Sequence, residues 1–286
     1  MVAVTTAPVC GRPRRLQVNG LGLRLHEWGA EGAPPVLLLH SLAAHGHWWD
    51  WVALRLQRRH HVIALDLRGH GGSEWAPGAG GHGYTFDDYV GDVAQVLGLL
   101  GWPRPLVMGH SLGGYLAAQL AAVHPERVGA IVVADIMTSF SDEQMARAAQ
   151  QVERPGAEFA SPAVAGARFR LAPPETSAPV DALHHLGATG VAERNRGVWQ
   201  YAFDRRVFLH PRPDPWPLLP RVACPTLVIR GEGSTIMTRE AAERVAATVQ
   251  HGTVMELPGT FHHLIVDDPA AFVARVESWL AQRRSS

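Results

Sequence analysis

Apolar and polar positions along the chain follow two different periods, and the two alternate over both ends of the sequence. Short continuous apolar runs, such as residues 36–39 and 128–134, have the length and composition of strands that are covered on both faces. Residues 86–100 instead place apolar side chains every three or four positions, which predicts a helix with one buried face. Because runs of the two kinds follow one another, the pattern predicts a mostly parallel sheet with helices on both faces.

The predicted elements define the fold class as α/β with a doubly wound sheet. Two initial strands meet at Asn19-Gly20, a dipeptide typical of tight hairpin turns. The predicted strands cover residues 15–18, 21–27, 35–39, 61–67, 106–109, 128–134, 226–230 and 253–257, and the predicted helices cover residues 48–56, 86–100, 111–123, 238–248 and 269–282.

The alternation is lost between residues 137 and 220. This segment has weak periodicity and contains 10 of the 21 prolines of the chain, which interrupt regular elements. We interpret residues 137–220 as an inserted, mainly helical cap. Residues 1–136 and 221–286 then form the core domain.

One predicted strand–helix junction carries the pattern Gly-x-Ser-x-Gly, at residues 109–113. An apolar run precedes it and an Ala- and Leu-rich run follows it, which is the context of a nucleophile elbow. Gly109 and Gly113 suit this tight turn, because a side chain at either position would clash. Ser111 is therefore a candidate nucleophile, and the following helix directs its N-terminal amides, including that of Leu112, at developing negative charge.

The partners that a serine nucleophile needs lie at the ends of other predicted strands. A serine hydroxyl reacts well only beside a base that takes its proton. Ligands of such sheets bind beyond the carboxyl ends of the strands. Asp135 follows the strand at 128–134, and His262 and His263 follow the strand at 253–257. The chain thus supplies serine, aspartate and histidine in that order at strand ends.

Four motifs together resemble the α/β-hydrolase superfamily over nearly the full length of the chain. They are His40-Ser41-Leu42, Asp66-x-Arg68-Gly69-His70-Gly71-x-Ser73, Gly109-His110-Ser111-Leu112-Gly113-Gly114, and Pro258-Gly259-x-x-His262 followed by Asp268-Pro269. The resemblance implies Ser111 as nucleophile and His262, favoured over His263 by motif register, as its base. It also implies the backbone amides of Leu42 and Leu112 as an oxyanion hole, in which each donor is worth about 3 kcal/mol.

The chain departs from this family at the acid of the triad. Most relatives carry an aspartate after the strand that corresponds to residues 226–230, whereas this chain has Thr235 at that register. A histidine base without its orienting acid loses a factor of the order of 10⁴ in a protease triad. Asp135 is the favoured substitute, because haloalkane dehalogenases and some esterase-like relatives place their acid after the corresponding strand. Glu232, or no acid at all, are the alternatives.

Aromatic and histidine side chains near the expected site are candidates for the substrate pocket. In the cap, Trp199, Tyr201 and Phe203 alternate along the chain and would share one face of an extended segment. Nearer the strand ends the candidates are His40, His45, Trp48, Trp49, His110 and His263. A structural role in packing or hydrogen bonding is the alternative for each of them.

Composition bears on cofactors and partners. The chain has 26 basic and 26 acidic residues, so it lacks the net field that attracts nucleic acid or an anionic membrane. Every basic residue is an arginine, and the lack of lysine excludes Schiff-base chemistry such as that of pyridoxal phosphate. The histidines are scattered or adjacent in sequence, which predicts no metal site, and no motif implies a cofactor.

The expected location is cytoplasmic. Cys10 and Cys224 lie far apart in the sequence, which does not support a disulfide framework. No apolar stretch has the features of a signal peptide or the length of a membrane span.

The sequence as a whole predicts a cofactor-independent serine hydrolase that cleaves an ester, lactone or related small acyl substrate through an acyl-enzyme. Dehalogenase and epoxide hydrolase activities are disfavoured, because that resemblance would require an aspartate at position 111. Three alternatives stay open: carbon–carbon bond hydrolysis, a cofactor-free lyase or cyclase that uses His262 as a base, and a small-molecule receptor without turnover. The oligomeric state is not predicted.

Overall fold

A single large sheet runs through the protein, and the computed structural model describes residues 8, 10–78, 83–209 and 213–284. The strands of this sheet are β1 (Arg12–Val18), β2 (Leu21–Trp28), β3 (Pro35–Leu39), β4 (His61–Leu65), β5 (Leu106–His110), β6 (Ala130–Ala134), β10 (Thr226–Gly231) and β11 (Gly252–Leu257). Their order is β1-β2-β4-β3-β5-β6-β10-β11. β2 is antiparallel to both of its neighbours, and the strands from β4 to β11 are parallel to one another. The predicted fold class is therefore confirmed.

Helices cover both faces of the sheet. They are α1 (Asp50–Leu56), α2 (Phe86–Leu100), α3 (Leu112–Val123), α4 (Asp142–Glu153), α5 (Pro162–Arg168), α6 (Val180–Thr189), α7 (Arg239–Thr248), α8 (Leu264–Asp267) and α9 (Pro269–Arg284). Side chains of α2, α3 and α7 fill one hydrophobic core, and side chains of α1, α8 and α9 fill another. Alternate residues of β3 point into the two cores, as the two-sided burial of that apolar run requires.

Two strands are shorter than predicted, and a hydrogen bond to a buried histidine explains the difference for one of them. β4 ends at Leu65 rather than at Leu67, because the Leu67 amide donates to Nε2 of His40 instead of to a neighbouring strand. β6 begins at Ala130 rather than at Val128. The residue before it, Gly129, donates its amide hydrogen to the Pro105 carbonyl. The helix predicted at residues 48–56 begins with a short 3₁₀ turn at Gly46–Trp49, and α1 follows it.

The segment between β6 and β10 contains α4, α5 and α6 together with a small antiparallel sheet. That sheet has the order β7-β9-β8, from β7 (Glu158–Phe159), β8 (Val191–Asn195) and β9 (Val198–Tyr201). Its strands are short and half exposed, which explains why the sequence pattern showed no clear period there. Ala182 and Leu186 of α6 are buried in the same core as α1 and α9. The division into core and cap at residues 137 and 220 stays a prediction.

Within the described residues, no helix combines the length and the apolar character needed to cross a membrane. Residues 1–7, which bear on the prediction that no signal segment is present, lie outside the described residues.

Candidate active site

Ser111 lies at a strained turn between β5 and α3. Its φ of 52° and ψ of −116° place a non-glycine residue in a sparsely populated region, which costs about 1 to 3 kcal/mol. The flanking glycines permit the turn through close approach of the backbone. A Cβ on Gly109 would lie 2.0 Å from the Gly113 carbonyl oxygen, and a Cβ on Gly113 would lie 2.1 Å from the Leu39 carbonyl oxygen. The Gly-x-Ser-x-Gly pattern thus lets α3 begin directly above the sheet.

The amides of Leu42 and Leu112 belong to residues that line the same cavity as Ser111. Leu112 is the first residue of α3, so its amide has no partner within the helix and lies at the positive end of the helix dipole. Among the described residues, neither amide donates a hydrogen bond to a protein acceptor. Two such amides can donate hydrogen bonds to an anionic ligand atom or to a developing oxyanion.

Two buried histidines hold the loop that carries Leu42. Ala43 adopts a left-handed conformation with a φ of 57°, and its amide donates to Nε2 of His70 over 3.1 Å. His40 accepts from the Leu67 amide at Nε2 and donates from Nδ1 to the Ser41 carbonyl. Burial lowers the pKa of His40 to about 4 and that of His70 to about 3. Both rings are therefore neutral at neutral pH, which keeps their Nε2 atoms available as acceptors.

His262 and Asp135 form a buried hydrogen-bonded pair. Nδ1 of His262 lies 2.8 Å from Oδ1 of Asp135, and the two residues are 5% and 0% exposed. The carboxylate accepts from Nδ1, so Nε2 is the nitrogen left to act as a base. The same carboxylate accepts from the Ser234 hydroxyl over 2.6 Å and from the Gly231 amide over 2.9 Å. Three donors thus hold Asp135 in one orientation.

Strand register explains how Asp135 reaches His262. Ala134 at the end of β6 pairs with Ile229 of β10, so Asp135 leaves the strand level with Arg230, and its carboxylate accepts from the next amide, that of Gly231. A φ of 49° at Asp135 turns the chain there. Glu232, the other candidate acid, is exposed and accepts from the Gly259 amide. Of the two carboxylates, the structure brings Asp135 to His262.

Two further histidines surround the imidazole of His262. His110 donates from Nε2 to the His262 carbonyl over 2.8 Å, and His263 donates from Nε2 to the Pro173 carbonyl over 3.0 Å. Burial, reinforced by the neighbouring His262, holds the pKa of His110 well below its usual range and lowers the pKa of His263 to about 3. The indole of Trp48 packs against both rings, with centroids 6.3 Å from His110 and 5.4 Å from His263.

The cavity at Ser111 has about 420 Å³ of empty space, part of it open to solvent. Its lining consists of uncharged residues: Leu42, Phe86, Ser111, Leu112, Tyr115, Met137 and Phe140. Four of these residues, Phe86, Tyr115, Met137 and Phe140, are not among those predicted from the sequence. Two of them could have been found from their distance to the strand ends. Tyr115 lies one helical turn after Ser111, and Met137 lies two residues after Asp135.

Several predicted pocket residues have other surroundings. The prediction for Trp49 is wrong, because its side chain is fully buried and packs against Phe272 of α9. Tyr201 and Phe203 stack on each other and line a separate cleft beside Trp75. Trp199 pairs with Phe159 across the small sheet. Nε2 of His45 bonds to the Leu186 carbonyl, so this ring, like that of His40, is engaged with the backbone.

Two groups of side chains have donor atoms close enough to hold a metal ion. The first consists of His110, His262 and His263, and the second consists of Cys10, His47, Asp50 and His185. In each group the donor atoms lie within 4.8 Å of one another. Nδ1 of His262 is already bonded to Asp135, whereas the second group shares no residue with the cavity lining. Folding thus brings together residues that are scattered along the sequence, and the expectation of no metal site stays a prediction.

Known hydrolases are similar to this chain over most of its length. The chain belongs to the α/β hydrolase fold family, whose model matches residues 34–269. Over 254 residues it is 26% identical to a 2-(acetamidomethylene)succinate hydrolase of Mesorhizobium japonicum, covering 88% of each chain. It is also 26% identical over 267 residues to 3-oxoadipate enol-lactonase 2 of Acinetobacter baylyi, covering 92% of this chain and 94% of that relative. Relatives named as hydrolases thus support hydrolase activity.

Solved structures show the same fold. The crystal structure of an E-2-(acetamidomethylene)succinate hydrolase matches with a TM-score of 0.82 and 24% identity, over 94% of this chain and 99% of that one. Several further curated relatives, 31% to 36% identical, are matched over only 35% to 43% of their own length.

Proposed function

We propose that the protein is a serine hydrolase that cleaves a carboxylic ester, a lactone or a related acyl substrate. The observation that carries the proposal is the 2.8 Å contact between His262 and Asp135, at strand ends beside the strained turn of Ser111. A serine, a histidine base and an orienting carboxylate are the parts that nucleophilic acyl transfer requires. The 26%-identical enol-lactonase, which matches nearly the full chain, supports lactone or ester substrates.

The chemistry would proceed through an acyl-enzyme. His262 accepts the proton of the Ser111 hydroxyl at Nε2 while Oγ attacks the substrate carbonyl carbon. The carbonyl oxygen becomes an oxyanion, which the amides of Leu42 and Leu112 stabilise. The imidazolium returns its proton to the leaving alcohol as the carbon–oxygen bond breaks. A water molecule, deprotonated by His262, then hydrolyses the acyl-enzyme and regenerates Ser111.

The lining of the cavity favours an uncharged, apolar or aromatic substrate. Phe86 and Tyr115 meet edge to face with ring centroids 4.6 Å apart, and Met137 and Phe140 complete the apolar lining. Both full-length relatives are named for acidic compounds, a succinate and an oxoadipate. A carboxylate in the substrate would need a cationic partner, and no charged side chain is among the described residues of this lining. We therefore expect this chain to prefer a substrate without a carboxylate, unlike the two relatives.

The test compares p-nitrophenyl esters with uncharged acyl groups of increasing length against the hemisuccinate ester. Wild type should hydrolyse the uncharged esters with a burst of nitrophenol and should hydrolyse the hemisuccinate poorly. Ser111→Ala should lower kcat by at least about 10⁴-fold. The matched control is Ser139→Ala, which changes an exposed serine in the segment after β6 and should retain activity.

Two outcomes would contradict the proposal. Turnover that survives Ser111→Ala would point to chemistry based on His262 alone, such as that of a lyase. Saturable ester binding with no turnover in either protein would point to a receptor. A preference for the hemisuccinate ester would overturn the substrate assignment and leave the serine mechanism in place.

A further inference from the structure

A second buried carboxylate lies outside the cavity of Ser111 and gathers three side chains that are all good metal ligands. Asp50, at the start of α1, is completely buried. Its Oδ2 lies 2.7 Å from Nε2 of His185, 3.0 Å from Nδ1 of His47 and 3.7 Å from Sγ of Cys10. The four donor atoms all lie within 4.8 Å of one another.

The four side chains come from separate parts of the chain. Cys10 precedes β1, His47 belongs to the 3₁₀ turn at Gly46–Trp49, and Asp50 begins α1. His185 is on α6, in the segment that the sequence predicts as a cap. Sequence spacing alone therefore could not indicate the cluster, and only the packing of α6 beside α1 assembles it.

The donor set and its spacing match the requirements of Zn²⁺. One thiolate, two imidazoles and one carboxylate are ligands that zinc binds in tetrahedral sites. A tetrahedral zinc with bonds of about 2.0 Å to nitrogen or oxygen and about 2.3 Å to sulfur spaces its ligand atoms roughly 3.3 to 3.5 Å apart. The distances from Oδ2 of Asp50 to the other three ligand atoms are 2.7, 3.0 and 3.7 Å, which lie on both sides of this spacing. Small shifts of the side chains would therefore be enough to accommodate the ion.

We infer that Cys10, His47, Asp50 and His185 form a structural zinc site. The protein supplies all four ligands, which is typical of structural rather than catalytic zinc. The thiolate and the carboxylate balance the two positive charges of the ion. Binding releases the thiol proton and also moves off His47 Nδ1 and His185 Nε2 the hydrogens that these atoms donate to Asp50, so that both nitrogens present a lone pair to the ion. Cys10 is exposed and the side chains of His47 and His185 are 11% and 10% exposed, so an ion has a path to the buried carboxylate.

The bound ion would join the N-terminal segment, the core and the cap next to the active site. Trp48 follows His47 directly, and its ring packs against His110 and His263. Leu186 follows His185, and its carbonyl bonds to His45, in the segment after the Leu42 loop. Zinc would thereby restrain both the cap helix α6 and the segment behind the Leu42 loop. This inference stands independently of the proposed esterase chemistry.

The first test measures zinc binding by the full chain. Metal-free protein should take up one equivalent of Zn²⁺ in competition with a chromophoric chelator and should melt at a higher temperature with zinc than without. Cys10→Ser and His185→Gln should each weaken binding more than about 100-fold, since even outer-shell changes cost 10- to 100-fold. The matched controls are Cys224→Ser and His184→Gln, which change the other cysteine and the histidine adjacent to His185 and should leave zinc affinity within about twofold.

A second test identifies the ligands by spectroscopy. Co²⁺ in place of zinc should give intense visible bands of tetrahedral cobalt and a near-ultraviolet thiolate-to-cobalt band, and Cys10→Ser should lose the latter. One equivalent of Zn²⁺ should protect the exposed Cys10 thiol from a thiol reagent. Because the chain has 16 histidines, adventitious binding is the competing explanation. Equal zinc affinity in the wild type, Cys10→Ser and His185→Gln, or weak octahedral cobalt bands, would overturn the inference.

Discussion

Asp135 and Asp50 are both fully buried and both accept hydrogen bonds from histidine, yet their surroundings differ in kind. Asp135 bonds one histidine, and its remaining donors are the Ser234 hydroxyl and the Gly231 amide. Asp50 bonds two histidines and a cysteine thiol. The first set of donors holds the carboxylate still so that it can orient a single imidazole. The second set consists of groups that can themselves bind a metal.

The difference shows that a buried His–Asp pair does not by itself identify an active site. What distinguishes Asp135 is its place in the chain next to the cavity of Ser111: Met137, two residues later, lines that cavity together with Leu42 and Leu112, whose amides are open. What distinguishes Asp50 is the convergence of several ligands on one oxygen atom.

Asp135→Asn should lower kcat for ester hydrolysis by about 10⁴-fold, because an amide cannot hold His262 in the tautomer that accepts a proton at Nε2. The variant should stay folded, as judged by circular dichroism. Glu232→Gln is the matched control and should stay within about twofold of wild type. Similar losses in the two variants, or a loss below tenfold in Asp135→Asn, would remove Asp135 from the mechanism.

Asp50→Asn should act on stability far more than on chemistry. Removing one charge from a buried ion-paired cluster costs about 3 kcal/mol. We expect that loss in the free energy of unfolding, measured with urea in the presence of a chelator. Asp181→Asn, at an exposed position of α6, should change it by less than about 0.5 kcal/mol. A loss of kcat as large as that of Asp135→Asn would erase the distinction between the two regions.

The histidines on the Ser111 side should make the protein acid-sensitive. His40, His70 and His263 have pKa values lowered by burial to about 4, 3 and 3. Below the ordinary histidine pKa of about 6.5, the unfolded chain binds protons that the folded chain does not, so stability falls as the pH falls. Each of these histidines contributes up to about 2 kcal/mol of loss between pH 6.5 and 5.

The pH effect can be measured by urea unfolding of metal-free protein at pH 7 and pH 5. His70→Gln should be less stable at pH 7 but should lose less stability on acidification, because one titrating group is gone. His251→Gln, at an exposed position, should keep the loss of wild type. If His70→Gln loses as much stability between pH 7 and pH 5 as the wild type does, His70 is not a source of the acid sensitivity.

Ser234→Ala should lower kcat by about tenfold with little change in KM, because a hydrogen bond to a charged group contributes about 1.5 to 3 kcal/mol. The Ser234 hydroxyl lies on the loop after β10, where the family resemblance leads one to expect an acid, and it donates to Asp135. Ser234→Thr retains a hydroxyl and should recover most of the activity. Equal rates for Ser234→Ala and wild type would show that Asp135 needs no such support.

Most of the core and the catalytic candidates could be predicted from local pattern. α2 has the predicted bounds because Thr85 and Asp88 form a capping box at its start and Gly101 ends it in a left-handed conformation. Gly109 and Gly113 report the tight turn at Ser111 because no other residue type fits there. Asp135 and His262 could be named because parallel strands bring their carboxyl ends to one edge of the sheet.

The cavity lining was less predictable, for a physical reason. Trp48 and Trp49 are adjacent, yet the ring of Trp48 packs on His110 and His263 whereas the ring of Trp49 packs on Phe272. Successive residues of a helical turn point in different directions, which the sequence pattern does not reveal. The small sheet β7-β9-β8 depends on pairing between short half-exposed strands, which leaves little periodic signal.

The α/β hydrolase fold, the position of Ser111 at a strand–helix turn and the strand ends that present Asp135 and His262 could all be predicted from the sequence. These depend on local burial periods and turn geometry, which neighbouring residues encode. Two further features required the packed structure: the contact of His262 with Asp135 rather than with Glu232, and the convergence of Cys10, His47 and His185 on Asp50. Such contacts join residues far apart in the chain, and their distances follow from how whole elements pack.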